Sequence, residues 1–257
     1  MNWKEVFFIF GIYFLSPICL AAEAVAHLPD SKKAALINVE LGLGYLADGQ
    51  VARAKPKFLH ALKIAPKIPE THSAMAYFME RVGDYQLAEK EYKKAVSLSK
   101  QKGPEYNNYA TFLCRRGRLK EADQIFTYAL EDKEYASSAD VYENAGLCAL
   151  KDSNNEKASE YLATAVRRDP NRRTAILELI DLDLKQGKID EAKNLLKRYK
   201  AVAEPSARSL WLGIQVSKVT KDEVELRRQA TLLKNLFQDS PEYQMYLKSN
   251  KKQKRQL

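Results

Sequence analysis

A repeat of about 34 residues runs through most of the chain and constrains its fold more than any other feature. Pro66 and Pro170 each close an apolar stretch, and counting back from Pro66 sets a frame that begins at Ala35. Small residues recur at frame positions 8, 20 and 27, and large apolar residues recur at positions 4, 7, 11 and 24. This spacing is that of the tetratricopeptide (TPR) helix–turn–helix repeat. The copies begin near residues 35, 69, 103, 139, 173 and 206, and the sixth copy is eroded.

The residue types at these positions predict pairs of closely packed antiparallel helices. The small residues let the two helices approach, and the large apolar residues fill the space between them. Gly49, Gly83, Gly117 and Gly187 all fall at position 15, where a helix ends and a left-handed residue is most easily a glycine. Only 19 of the 257 residues are Gly or Pro, which disfavours a many-stranded β fold. We therefore predict an all-α, right-handed superhelix of about six TPR repeats over residues 35–246.

The first residues have the order of a secretory signal, which we assign to residues 1–24. A short basic start is followed by the apolar run 6–15 and by small residues that permit cleavage after Ala22 or Ala24. An uncleaved anchor helix is the alternative. Cys19 is a candidate lipidation site, although the preceding Pro17 and Ile18 fit a lipobox poorly; the alternative is a cysteine in a discarded peptide. Residues 25–34 are predicted to be a linker, and the basic segment 247–257 a disordered tail.

The first helices of a TPR array line its concave face, mainly through positions 2, 5, 9, 12 and 13. The first repeat is apolar at these positions, which predicts a groove for an amphipathic helix or an extended peptide. Alternatively, residues 25–34 fold back and cover this apolar patch. Farther along, Asn107 and Asn108 either bind a partner backbone or bond between neighbouring helices. The candidate groove residues are Leu36, Val39, Leu43, Leu46, Tyr77, Asn107, Asn108 and Thr111.

Nothing in the sequence indicates an enzyme. The three histidines lack the spacing of metal ligands, and no nucleophile, acid–base or phosphate-loop arrangement is present. We expect no metal, no cofactor, no small-molecule substrate and no nucleic-acid partner. Cys114 and Cys148 lie on the first helices of adjacent repeats, where they either form a disulfide or remain buried thiols.

Several segments resemble a known family. These are Asn107-Asn108-Tyr109-Ala110 with Arg116-Gly117-Arg118, Glu143-Asn144-Ala145-Gly146, Leu210-Trp211-Leu212-Gly213, and Ser240-Pro241-Glu242-Tyr243. Together they resemble the type IV pilus biogenesis/stability family, the PilF/PilW pilotins, over roughly residues 35–245.

The resemblance implies a non-catalytic periplasmic adaptor, associated with the inner leaflet of the outer membrane, that promotes localisation and multimerisation of the pilus secretin. Two departures stand out. The lipobox is degenerate, and Ala110 replaces the usual glycine after Asn-Asn-Tyr. The alternative function is another cell-envelope TPR scaffold, for example one that organises peptidoglycan enzymes.

Overall fold

The structure, a computed structural model, describes residues 30–100, 103–132, 135 and 138–254. The signal segment 1–24 and Cys19 lie outside these residues. Thirteen helices and no strand are found in the described residues, which confirms the predicted all-α TPR fold class. The helices are α1 Asp30–Ala47, α2 Val51–Ile64, α3 Pro69–Arg81, α4 Tyr85–Leu98, α5 Gly103–Arg115, α6 Leu119–Leu130, α7 Ser138–Lys151, α8 Asn155–Arg168, α9 Arg173–Lys185, α10 Ile189–Val202, α11 Ala207–Val219, α12 Glu223–Phe237 and α13 Pro241–Lys254.

The chain divides into two compact units, and the first, which ends at Ser99, contains repeats 1 and 2. Its core is built around Phe58 of α2 and Phe78 of α3, whose ring centroids lie 5.4 Å apart. Gly42 at position 8 lets α1 approach α2, because a Cβ there would lie 2.8 Å from the Phe58 ring. Helix α1 begins at Asp30, five residues before the predicted repeat start. Residues 30–34 are therefore helical, and the prediction of a linker was wrong for them.

The second unit begins at Lys100 and contains repeats 3 to 6 and the final helix α13. Its repeats begin within one residue of the predicted starts. The prediction of a disordered tail was wrong for residues 247–254, which belong to α13. This helix is held to α11 because Tyr243 and Tyr246 pack against the cluster around Leu210 and Ile214. The ammonium of Lys218 also donates a hydrogen bond to Ser249 Oγ at 3.0 Å.

The turns inside the repeats have the conformation that the glycines predicted. The glycines at position 15 have φ between 74° and 88°. In repeat 4 the same position is Ser153, which holds φ at 58° without the freedom of a glycine. Each turn places the second helix antiparallel to the first, so the positions that face the groove are fixed by the frame.

Candidate partner-binding groove

In the first unit, the predicted apolar groove residues are unequally exposed. Leu46 is only 4% exposed, because it packs with Met75 and Phe78 of the next repeat. It is therefore a core residue, and the prediction that it faces an open groove was wrong. Val39 is half-buried against the same core. Leu36 is also half-buried, whereas Leu43 is 38% exposed.

Tyr77 is half-buried and packs against that core with its ring. Its hydroxyl accepts a hydrogen bond from Arg81 Nη1 at 3.3 Å, and the Arg81 guanidinium lies 6.0 Å from the ring centroid. The structure thus leaves Leu43 as the most exposed of the predicted apolar groove residues. Leu36 and Tyr77 contribute only part of their surface.

In the second unit, the predicted polar groove residues also differ in how exposed they are. Asn107 is 7% exposed, and its Oδ1 accepts a hydrogen bond from Asn144 Nδ2 of the next repeat at 3.1 Å. Thr111 Oγ1 donates to the Asn107 carbonyl at 2.7 Å, while Asn108 is exposed. Asn107 therefore uses its side-chain oxygen to join neighbouring helices, one of the two alternatives drawn from the sequence. Asn144 was not predicted, although it has the same frame position as Asn108.

A cavity of about 450 Å³ opens between the first helices of repeats 3, 4 and 5. Its lining combines apolar side chains with an amide, a hydroxyl and the cations at position 13 of two repeats. Lys151 is exposed and has no ion pair among the described residues. The lining residues are Thr111, Cys114, Arg115, Phe126, Asn144, Leu147, Cys148, Leu150, Lys151 and Glu178. Such a mixed surface suits a peptide segment, which offers backbone hydrogen-bonding groups and apolar side chains together.

Cys114 and Cys148, two of the residues that line the cavity, are joined by a disulfide. Their Cα atoms lie 5.8 Å apart, a separation typical of disulfide-bonded cysteines. The bond ties α5 to α7 across the boundary between repeats 3 and 4. It therefore fixes the relative position of the two helices that carry Thr111 and Leu147.

Ion pairs make the corresponding connections between the later repeats. Glu143 of α7 accepts hydrogen bonds from Arg172 at 3.2 Å and from the Ala175 backbone at 3.0 Å, and Arg172 also pairs with Asp140. Burial opposes the charge on Arg172, but Asp140 and Glu143 raise its pKa above the ordinary value. The charged groups at this surface therefore serve largely to connect repeats.

Glu178 of α9 pairs with Arg208 of α11 through two hydrogen bonds of 2.7 Å. No group of three or more His, Cys, Asp or Glu side chains in the described part of the chain could hold a metal ion. In that same part, none of the helices has both the length and the apolar character needed to cross a membrane.

Comparison with known proteins agrees with this arrangement. A family model for the tetratricopeptide repeat matches residues 149–210. The type IV pilus assembly protein PilF of Pseudomonas aeruginosa is 33% identical over 208 residues, which is 81% of this chain and 82% of that protein. The chain belongs to the PilF family of type IV pilus biogenesis proteins. The family resemblance seen in the sequence is thereby confirmed.

Solved structures of PilF-family proteins have the same fold. The structure of Pseudomonas aeruginosa PilF matches with a TM-score of 0.75 and 31% identity, covering 86% of this chain and all of that one. The structure of PilW, described as a widely conserved type IV pilus biogenesis factor, matches with a TM-score of 0.71 and 25% identity, covering 83% and 98%. An uncharacterised Haemophilus influenzae protein is 34% identical over 141 residues, which is 55% of this chain and 76% of that protein.

Proposed function

We propose that this chain is a non-catalytic adaptor of the cell envelope that promotes localisation and multimerisation of the type IV pilus secretin. The observation that carries the proposal is the 33% sequence identity to PilF over 81% of the chain. TPR arrays present a concave surface to protein partners. The exposed Leu43 and the cavity around Leu147 and Lys151 offer such surfaces in the first and second units.

The disulfide supports a place in the envelope. Disulfides persist in oxidising compartments such as the periplasm and are rare in the cytosol. The Cys114–Cys148 bond is therefore consistent with the secretory signal that residues 1–24 indicate. Association with the inner leaflet of the outer membrane is part of the proposal, whether or not Cys19 carries a lipid.

The experiment is deletion of the gene, followed by measurement of heat-resistant secretin multimers and secretin monomers in outer-membrane fractions. We expect the multimers to be lost while the monomer is retained, and the unmodified gene to restore them. Unchanged multimers with normal piliation would contradict the proposal. They would instead favour another envelope scaffold, such as one that organises peptidoglycan enzymes.

The groove is tested by complementing the deletion with the Leu43→Glu variant. Leu43 is 38% exposed, so a carboxylate there should leave the helices folded and repel an apolar partner segment. We expect loss of secretin binding and of multimers, with the circular dichroism spectrum unchanged. Val224→Glu is the matched control, because Val224 is 73% exposed on α12, a second helix. Equal secretin binding by the two variants would show that Leu43 is not part of the docking surface.

A further inference from the structure

Helix α2 differs in charge from the second helix of every other repeat. It contains no Asp or Glu, and no carboxylate residue occurs between Asp48 and Glu70. The second helices of repeats 2 to 6 each carry at least one acidic residue. The acid-free stretch has five basic residues, which are Arg53, Lys55, Lys57, Lys63 and Lys67.

Within the part of the chain that the structure describes, the lysines of this stretch lack carboxylate partners. Lys55, Lys63 and Lys67 are exposed, and none of them forms an ion pair among the described residues. Some lysines of other second helices do have carboxylate partners; Lys157, for example, lies 2.6 Å from an Asp123 carboxylate oxygen. Arg53 makes a cation–π contact instead of an ion pair, since its guanidinium lies 4.2 Å from the centre of the Tyr45 ring. Helix α2 and the residues after it therefore present concentrated positive charge, and no carboxylate of the described residues pairs with these lysines.

The same face of α2 also exposes apolar side chains. Leu59 is 48% exposed and Val51 is 42% exposed. Residues four apart share one side of a helix, so Lys55 and Lys63 flank Leu59 on the outer surface. The opposite side of α2 is buried through Ala54, Phe58 and Ala61. The result is a surface about 20 Å long on which leucine and valine lie among lysines.

We propose that this outer face of α2 binds the surface of an anionic membrane. Lysines attract negatively charged headgroups, and apolar side chains between them enter the boundary between headgroups and acyl chains. The lysine stems can lie along that boundary while their ammonium groups stay at the phosphates. This binding deepens the membrane association included in the proposed function, on which it rests, by naming the surface that makes the contact, and it uses residues that the groove does not.

The exposed apolar residues favour a lipid surface over an acidic protein or nucleic acid. The lysines alone could bind any polyanion. Leu59 and Val51 contribute to binding only where the partner offers apolar surface that removes them from water. No Phe, Tyr or Trp side chain of α2 is exposed among its lysines to stack on bases, since Phe58 is fully buried. An anionic bilayer is the partner that uses both features of this face.

The test is sedimentation of the full chain with phosphatidylglycerol–phosphatidylcholine vesicles and with pure phosphatidylcholine vesicles. The test variant is Lys55→Gln/Lys63→Gln/Lys67→Gln, and the charge-matched control is Lys193→Gln/Lys197→Gln/Lys234→Gln. The control lysines are exposed on α10 and α12 and have no ion pair in the described residues. Both variants keep the N-terminal segment and the basic α13, so contributions from those regions cancel.

We expect the unaltered chain to bind the anionic vesicles and to be released by salt. Each lysine near an anionic surface is worth about a fivefold change in partitioning, so the α2 variant should bind at least about tenfold more weakly. The control should stay within about twofold of the unaltered chain. Leu59→Ser should weaken binding of the chain to the anionic vesicles at low salt, because it removes exposed apolar surface without changing the charge.

Three results would overturn the proposal. Equal losses in the two triple variants would mean that only net charge matters. Equal binding to neutral and anionic vesicles would mean that the lysines have no role. Binding to polyglutamate that depends on the α2 lysines, without any dependence of vesicle binding on them, would assign the face to an acidic polymer. Circular dichroism of each variant would exclude unfolding as the cause.

Discussion

The two units of the molecule join their consecutive repeats with different chemistry. In the first unit, repeats 1 and 2 meet mainly through apolar contacts, with Phe58 against Phe78 and Leu46 buried beside them. A single ion pair of 3.5 Å between Lys32 and Glu70 adds to these contacts. In the second unit, several bridges at or beside the first helices supplement the apolar contacts, and one of them is covalent. These bridges are the Cys114–Cys148 disulfide, the Asn144–Asn107 hydrogen bond, and the pairs Arg172–Glu143 and Arg208–Glu178.

This difference shows that a groove position in a TPR array does not by itself identify a binding residue. Asn107 and Glu143 occupy groove positions, yet both bridge neighbouring repeats, Asn107 to Asn144 and Glu143 to the Ala175 backbone. Leu46 occupies one as well, yet it is core. The residues left for a partner are those that packing does not use, such as Leu43 in the first unit and Lys151 in the second. Contacts between repeats therefore distinguish structural residues from candidate binding residues better than the repeat frame does.

The largest expected effect concerns the disulfide of the second unit. The two cysteines are 34 residues apart, and closing a loop of that length should stabilise the fold by about 3–4 kcal/mol. Cys114→Ala/Cys148→Ala should lower the free energy of unfolding by roughly that amount in urea denaturation. Dithiothreitol should destabilise the unaltered chain and leave the double variant unchanged. If reductant had no effect on the unaltered chain, the bond would not contribute to holding repeats 3 and 4 together.

An intermediate effect is expected in the apolar packing of the first unit. A Cβ at Gly42 would lie 2.8 Å from the buried Phe58 ring, whereas a Cβ at Gly44 would have no heavy atom within 4 Å. Gly42→Ala should therefore cost about 2 kcal/mol through overpacking. Gly44→Ala, two residues along the same helix, should stabilise by up to about 1 kcal/mol through helix propensity. Equal unfolding midpoints for the two variants in thermal denaturation would contradict this account of how α1 packs on α2.

The sequence predicted the repeats far better than the groove. Small residues at position 8 and large apolar residues at position 24 recur at the repeat spacing and specify a helix pair locally, so the repeat starts follow from spacing alone. The burial of Leu46 depends on Met75 and Phe78 of the next repeat, which a single-repeat pattern does not contain. The helical state of residues 247–254 likewise depends on α11, through Tyr246 and Lys218. Contacts between distant segments decide exposure, and exposure decides which residues can bind.

The smallest effect concerns an ionic bridge between repeats 5 and 6 of the second unit. Glu225 accepts hydrogen bonds from Arg228, Lys200 and Gln229. The hydrogen bond from Arg228 lowers the pKa of Glu225 most. Burial opposes this lowering, whereas Lys200 and Gln229 add to it, so the pKa falls from 4.5 to about 2. Because the folded value is the lower one, the bridge stabilises fully above about pH 4.5 and is lost as the pH falls towards 2.

Glu225→Gln should therefore reduce the free energy of unfolding by about 1–2 kcal/mol at pH 7, a figure lowered for solvent screening of a partly exposed group. The difference from the unaltered chain should shrink as the pH is lowered and vanish near pH 2. Glu223→Gln is the matched control, since Glu223 is exposed on the same helix and has no ion pair among the described residues. Urea denaturation at several pH values measures both variants. A constant difference between Glu225→Gln and the unaltered chain across that range would mean that the glutamine changes packing rather than charge. The contrast between ionic and apolar connections would then not extend to this pair of repeats.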